Sequence, residues 1–131
     1  MAVSKIRLKK QSDFLTDSRY ILVSASRNND STNVYLQFNG TAMNTVPFIM
    51  PYAASLVAMS AATNGNETWT AEVHVNGSLV TGATLSLSGV SSNYSTSYTS
   101  ISFSAGDLVQ LYCNGTAINR PRINAIFRRT D

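Results

Sequence analysis

The apolar and polar positions of this chain fall into short alternating runs. Apolar side chains recur at every second position in residues 21–25, 34–38, 69–75, 83–87, 98–103 and 122–127. A period of two is the signature of a strand with one buried face. The runs therefore predict strands along the whole body of the chain, and no stretch argues convincingly for a helix.

Turn-forming residues separate these runs. They are Asn39-Gly40, Asn64-Gly65-Asn66, Asn76-Gly77, Gly82, Ser88-Gly89, Ala105-Gly106-Asp107 and Asn114-Gly115. Short strands with turn signals between them are typical of a β-sandwich or barrel. We therefore expect an all-β, antiparallel domain of about eight to ten strands over residues 19–131. A short extended N-terminal arm over residues 1–18 precedes it.

One hairpin is predicted in detail. The run that begins at Trp69 leads into Asn76-Gly77, the pair that most favours a tight type I′ turn, and the chain then returns antiparallel. Alternation places Trp69 on the core face of this hairpin. It places Glu72 and His74 on the opposite face, directed toward solvent.

One apolar run does not alternate. Leu56, Val57, Ala58 and Met59 follow one another between Pro51 and the next turn signal. Such a run is typical of a strand buried on both faces, although Ala, Leu and Met also favour helices. We interpret it as a strand with one face in the core and the other against a neighbouring subunit. Small residues on an exposed face and a helix are the alternatives.

The positively charged residues lie near the two ends of the sequence, and only three acids, Glu67, Glu72 and Asp107, lie between residues 31 and 119. Ten Lys and Arg residues and seven Asp and Glu residues give a formal net charge of +3, and no Lys or Arg occurs between Ser31 and Asn119. A freely diffusing monomer normally carries mixed charge over its whole surface. The nearly uncharged body therefore indicates a subunit whose faces meet other copies or a larger assembly.

The arm contains a basic run in which charged and apolar residues alternate. Its residues are Lys5, Ile6, Arg7, Leu8, Lys9 and Lys10. Nucleic-acid binding uses the charge but not the alternation, whereas a strand that docks along a partner protein uses both. We therefore predict a protein-docking strand, with a nucleic-acid tail and a solvated tail as the alternatives.

Candidate catalytic chemistry is scarce. His74, the single histidine, shares its predicted face with Glu72, which is compatible with an acid-base or metal pair but is more typical of a solvated surface pair. Cys113, the single cysteine, alternates with Val109 and Leu111, which predicts a small buried hydrophobe and not a reactive thiol. We expect no enzyme, no cofactor and no metal site.

Two tyrosines are candidates for recognition. Tyr94 and Tyr98 lie in a stretch rich in Ser and Tyr, and tyrosine supplies contact area at a low cost in entropy. The alternative, which we favour, is a solvated loop whose rings fold back onto the sheet. The N-terminal residues show no apolar secretory segment, and no run has the roughly 20 apolar residues of a membrane span. We expect a protein made in the cytoplasm without membrane contact.

Three segments taken in order resemble a known family. WTAEVHVNG at 69–77, ATLSLSG at 83–89 and ISFSAGDLVQL at 101–111 are similar to small jelly-roll domains of tailed bacteriophages, and through them to the trimeric heads of the complement and tumour-necrosis-factor type. The resemblance covers roughly residues 19–128. It implies a homotrimeric capsid decoration, or cement, protein on the outer surface of the phage head. Its implied partner is the major capsid protein, which the arm binds, and it makes no direct contact with nucleic acid.

Other functions stay open. The same jelly roll also forms receptor- or glycan-binding heads of phage fibres, in which Glu72, His74, Tyr94 and Tyr98 would hold a host glycan. A small capsid protein that packages nucleic acid with its arm is a third hypothesis, and an enzyme is the weakest.

Overall fold

A computed structural model describes residues 19–130, and these form strands joined by turns, without a helix. None of them therefore forms a membrane-spanning helix. All the strand pairs are antiparallel, which confirms the predicted all-β class. The strands are β1 (Tyr20–Ser26), β2 (Asp30–Ser31), β3 (Val34–Tyr35), β4 (Gln37–Phe38), β5 (Thr41–Ala42), β6 (Phe48–Ile49), β7 (Ala54–Val75), β8 (Ser78–Ser95), β9 (Ser102–Phe103), β10 (Leu108–Asn114), β11 (Ile118–Asn119) and β12 (Arg122–Arg129).

The strands β7 and β8 form the frame of the molecule. They are 22 and 18 residues long and pair with each other as one hairpin. On its other edge β7 pairs with β12 along its N-terminal half and with β10 along its C-terminal half. The strand β1 pairs with β12, and β3 and β6 pair with β10. Ten strands thereby make one nearly closed, barrel-like sheet, while β2 and β11 pair separately.

The turn between β7 and β8 is the predicted one. Val75 pairs with Ser78, and the residues between them, Asn76 and Gly77, have φ angles of 52° and 82°. Positive φ at both central positions is what a type I′ turn requires. The predicted hairpin is therefore confirmed.

Three predicted turns are not turns. Asn64-Gly65-Asn66 lies inside β7, and Gly82 and Ser88-Gly89 lie inside β8. The pairing of the two strands shifts register between Ala62 and Glu67, so the glycine belongs to an irregular stretch of a continuous hairpin. Glycine commonly marks such irregularities within strands. The prediction of separate strands on either side was wrong for this reason.

The core contains inward-facing side chains from both halves of β7 and from the strands and loops that pack against it. Its largest fully buried side chains are those of Phe127, Leu36, Met43, Met50, Leu56, Met59, Leu87, Leu111, Ile123, Val73, Val109 and Pro121. Burial of one such apolar side chain contributes about 1.5–3 kcal/mol. Because the buried residues form one cluster, the two halves of the long hairpin pack over a common core.

The apolar run in the middle of the sequence is a strand interrupted by a β-bulge. Leu56 and Ala58 pair with adjacent residues of β12, so Val57 is the extra residue. Leu56 and Met59 are buried in the core, while Val57 and Ala58 are half-buried. The bulge accounts for the loss of alternation. It confirms the strand, and it leaves Val57 and Ala58 as the members of the run outside the core.

Candidate functional site

Glu72 and His74 lie on the outer face of β7 and are nevertheless buried. Their exposed fractions are 6% and 7%. The ring of Tyr112, on β10, stacks on the imidazole with centroids 4.6 Å apart, and the ring of Tyr35, on β3, meets it edge-on at 5.2 Å. The prediction that this pair faces solvent was therefore wrong, because two aromatic side chains from other strands cover it.

His74 joins a tyrosine to a carboxylate. Its Nδ1 is 2.9 Å from the Tyr35 hydroxyl, and its Nε2 is 2.8 Å from Oε1 of Glu72. The side-chain amide of Asn114 donates to the other carboxylate oxygen at 2.8 Å. We call Tyr35, Glu72, His74, Tyr112 and Asn114 the covered network. Its members lie on β3, β7 and β10, so the network links three strands.

The number of hydrogens on the imidazole decides how the covered network is satisfied. The Tyr35 hydroxyl also lies 3.1 Å from the carbonyl of Gly77 and has one hydrogen to donate. If the ring of His74 carries its single proton on Nε2, that hydroxyl must choose between Nδ1 and the carbonyl. A proton on both ring nitrogens gives every contact its own hydrogen. In both cases Glu72 accepts a hydrogen bond from Nε2.

Burial raises the pKa of side chains in and beside the covered network. It raises the pKa of Tyr35 and of Tyr112, with the negative charge of Glu72 as a smaller contribution. Burial also raises the pKa of the Cys113 thiol to about 12, and the charges of Glu67 and Glu72 add to the effect. Cys113 is fully buried, as predicted, and its thiol stays protonated at neutral pH.

The covered network is suited to holding strands together. A histidine that acts as a general base needs a ring nitrogen within hydrogen-bond distance of a substrate proton. Both ring nitrogens of His74 already have protein partners. Within residues 19–130 no group of three or more His, Cys, Asp or Glu residues could hold a metal ion. The arrangement therefore cross-links β3, β7 and β10 through polar contacts.

The two candidate tyrosines have different environments. Tyr98 folds back onto β8, where its hydroxyl donates to the carbonyl of Thr84 at 2.8 Å. Burial raises its pKa, and a hydrogen bond with Ser95 offsets part of the rise. Tyr94 lies in β8 itself and is 74% exposed. It pairs with Ser60, in the N-terminal half of β7, so the structure does not bring it together with Glu72 and His74.

A second surface lies on the outer side of the N-terminal half of β7. The register aligns β8, β7, β12 and β1 there, and their outward residues are partly exposed. We call this surface the open face, and it consists of Leu22, Ser24, Ala58, Ser60, Ala62, Ser92, Tyr94, Asn124 and Ile126. None of these side chains is charged. A shallow depression of about 430 Å³ lies beside Tyr94.

Three polar side chains of the open face, Ser24, Ser60 and Asn124, form a hydrogen-bonded row. The hydroxyl of Ser24 donates to Oδ1 of Asn124 at 2.6 Å, and Nδ2 of Asn124 donates to the hydroxyl of Ser60 at 3.1 Å. This row crosses β1, β12 and β7. Because these groups already have partners, covering the row with another protein leaves few of its hydrogen bonds unmade.

Arginines border the open face at both ends of the β1–β12 pair. Arg122 lies at one end beside Arg27 and Arg120, and these three line a common surface depression. Arg128 lies at the other end, where it pairs with Tyr20. The open face could not be recognised from the sequence, since its residues come from four strands, not all of which are neighbours along the chain. The alternation of β1 and β12 is the signal that points to it.

The predicted capsid-binding residues of the arm, Lys5, Ile6, Arg7, Leu8, Lys9 and Lys10, lie outside the described part of the chain. Comparison with models of known protein families gives no match, and comparison with curated proteins gives none either.

Proposed function

We propose that this chain is a non-enzymatic structural protein, a homotrimeric jelly-roll decoration subunit that binds the outside of a tailed-phage head. The single observation that best supports the proposal is the open face. It is a sheet surface without charge whose central polar row, Ser24, Asn124 and Ser60, is already paired. A freely diffusing monomer gains little from such a face, whereas a subunit buries it.

The chemistry of the open face fits contact with another copy. Its small residues Ala58, Ser60 and Ala62 let a second surface approach the backbone closely, while Leu22 and Tyr94 supply exposed apolar and aromatic area. Protein interfaces are depleted of charge at their centres and enriched in aromatic residues, with polar residues at the rim. Arg122 and Arg128 lie where that rim would be. The two members of the predicted interface that lie outside the core, Val57 and Ala58, belong to this half of β7.

A trimer would attach to the head firmly because several of its copies bind at once. A closed trimer carries three N-terminal arms, and several weak contacts made together hold far more firmly than one. A subunit that binds the assembled shell, but not free capsid protein, stabilises the shell by mass action. The proposed partner is the major capsid protein, and the proposed location is the outer surface of the virion, after synthesis in the host cytoplasm.

Cosedimentation with phage heads that lack this protein tests the proposal. We expect the full-length chain to pellet with the heads, and a version that starts at Asp13 to stay in the supernatant because it lacks the basic run. Absence of binding by the full-length chain would refute decoration. Equal binding by both versions would show that the basic run is not the attachment.

Two substitutions in the arm separate docking from charge. Ile6→Asp should weaken binding to heads at least as much as Lys9→Ala, because a docking strand places Ile6 in an apolar pocket. Binding of the two variants is compared by the concentration of heads at which half of the protein pellets. An effect of Lys9→Ala alone would indicate simple electrostatic attachment.

A fibre head that binds a host glycan is the second candidate, and the depression beside Tyr94 favours it. An exposed aromatic ring next to Ser92 and Asn124 offers stacking and hydrogen bonds at one place. This function predicts that the protein binds host cells or polysaccharide and that Tyr94→Ala abolishes the binding. Tyr20→Ala, which changes another exposed tyrosine, is the matched control.

A further inference from the structure

Three arginines line one surface depression at an end of the β1–β12 pair. Arg27 follows β1, Arg120 lies in the turn between β11 and β12, and Arg122 begins β12. The depression has a volume of about 530 Å³, and its other lining residues are Ser26, Asn28, Ala62, Thr63 and Asn64. Sites that bind small molecules usually have volumes of about 300–1,000 Å³. The depression is therefore large enough to hold a ligand of that kind.

The positive charge of this depression is not balanced by neighbouring acids. Within residues 19–130 no carboxylate forms an ion pair with any of the three arginines. The carboxylate of Glu67 accepts a hydrogen bond from the backbone N–H of Asn119 at 2.9 Å, next to Arg120 in the sequence. Cations gathered in a concave site raise the local concentration of anions. The ligand that suits the depression therefore carries negative charge.

The guanidinium of Arg27 is held in place before any ligand binds. Its Nε and Nη2 donate to the carbonyl of Tyr35 at 3.0 and 2.8 Å. A guanidinium has five N–H donors, so three of them remain for a ligand. Arginine donors match the two oxygens of a carboxylate. A group that is already fixed loses little conformational entropy on binding.

The backbone of Arg120 has a conformation that arginine rarely adopts. Its φ angle is 54°, and its N–H donates to the carbonyl of Asn29 at 3.1 Å. Positive φ is uncommon for bulky residues and more common for Asn, and Pro121, which follows, favours an extended backbone at the preceding position. The turn itself would therefore be better served by Asn or Gly. Strained residues of this kind cluster at binding sites, which favours a role for the Arg120 side chain.

We infer that this depression binds a carboxylate-bearing sugar. The arginines suit the carboxylate, and the neutral polar groups suit the hydroxyls. The side-chain amides of Asn28 and Asn64 have no hydrogen-bonding partner within residues 19–130. Amides both donate and accept hydrogen bonds, as sugar hydroxyls do. A bare inorganic anion would use the arginines alone, so the two amides favour a sugar acid over it.

Peptide and nucleic-acid ligands fit this depression less well. Among its lining residues only Ala62 is apolar, so the apolar side chains of a docking peptide would find no pocket. Nucleic acid binds through contacts to many phosphates. The other arginines of residues 19–130 lie at the opposite end of the β1–β12 pair, where Arg129 N–H donates to the carbonyl of Arg19 at 2.8 Å. The arginine cluster is therefore too isolated to follow a nucleic-acid backbone.

NMR titration of the isolated full-length protein with a short oligomer of galacturonic acid tests the inference. The acid should bind about tenfold or more tightly than its methyl ester, which keeps the ring hydroxyls but lacks the charge. Equal affinity for the two ligands would overturn the inference. Affinity for inorganic phosphate, polyaspartate or duplex DNA that matches or exceeds affinity for the acid would overturn it as well, since the cluster would then serve another class of anion.

Two substitutions on β12 separate the depression from the overall charge of the protein. Arg122→Gln should weaken binding of the acid about tenfold or more, because a charge-assisted hydrogen bond is lost. Arg128→Gln removes the same charge from an exposed position on the same strand, outside the depression, and should leave the affinity unchanged. Equal losses of affinity in the two variants would contradict a localised site.

A substitution at Arg120 separates binding from folding. Arg120→Asn should weaken binding about tenfold or more, whereas the midpoint of thermal unfolding should not fall, because Asn adopts positive φ more readily. Unchanged affinity would contradict the role of Arg120. The inference goes beyond the decoration proposal, and the titration needs neither phage heads nor a trimer. Failure of one therefore leaves the other standing.

Discussion

The two halves of β7 differ in what lies on their outer faces. In the C-terminal half, Glu72 and His74 sit beneath Tyr35 and Tyr112, and their hydrogen bonds run to neighbouring strands. In the N-terminal half the open face is covered by nothing in the described part of the chain, and its polar row is satisfied locally. One half of the strand therefore serves internal stability, whereas the other half presents an uncharged, partly exposed face among residues 19–130.

Breaking the covered network should have the largest effect on stability. Glu72→Ala removes the carboxylate that accepts hydrogen bonds from His74 and Asn114, and loss of one partner of a buried polar pair costs about 3 kcal/mol. Urea unfolding measures the loss. Ser86→Ala, an exposed substitution on β8, should change the free energy of unfolding by less than about 0.5 kcal/mol. A loss no larger than that of the control would contradict the structural role.

Removal of a single hydroxyl from the same network should have a smaller effect. Tyr35→Phe deletes the group that contacts His74 and Gly77, at an expected cost of about 1 kcal/mol. Tyr112→Phe keeps the ring that stacks on the imidazole and is the matched control, with a change within about 0.5 kcal/mol. If the two variants were equally stable, the hydroxyl of Tyr35 would not be holding the strands together.

Alkaline pH should lower the free energy of unfolding through the buried groups around the covered network, while stability at neutral pH stays the same. The pKa of Cys113 is raised to about 12 and the pKa values of Tyr35 and Tyr112 are raised as well, so the folded state holds these protons more tightly than the unfolded state does. Stability is therefore fully present below the unfolded pKa, which is 9.0 for the thiol, and falls as pH rises from there toward about 12. Thermal unfolding across this range measures the fall. Cys113→Ala should make it less steep, and an unchanged slope would contradict the assignment.

A charge on the open face should leave stability almost unchanged. Ala58→Arg places a long charged side chain on a half-buried surface position, with an expected change in the free energy of unfolding within about 0.5 kcal/mol. Its expected effect is on assembly: light scattering should show a trimer for the natural chain and a monomer for the variant. Ser86→Arg, on exposed β8 surface in the other half, should stay trimeric. A natural chain that is monomeric at about 50 µM would refute the subunit interface.

Local features of the fold could be predicted from the sequence. Asn76-Gly77 specifies its turn through two positive φ angles, and alternation correctly puts Trp69 and Cys113 in the core. The strands β1 and β12 were also expected from their alternation. In each case the signal lies within a few adjacent residues, because side-chain direction in a strand depends on position alone.

Features that depend on distant segments could not be predicted in the same way. Alternation shows that His74 points away from the core, but the rings that cover it belong to β3 and β10. The bulge at Val57 depends on how β7 pairs with β12. The open face depends on a register shared by four strands. The basic run of the arm has no described structure to compare with its pattern, so its docking role stays a prediction.

The hydrogen bond between Arg129 and Arg19 has a mechanical consequence. It brings the beginning of β1 and the end of β12 to one corner of the molecule, so a pull between the two ends of the chain would load the β1–β12 pair from that corner. Antiparallel strands pulled apart from one end separate one bonded pair at a time, which offers little resistance to force. In the proposed decoration role, a subunit attached through one terminus would not load this pair, whereas one attached through both termini would.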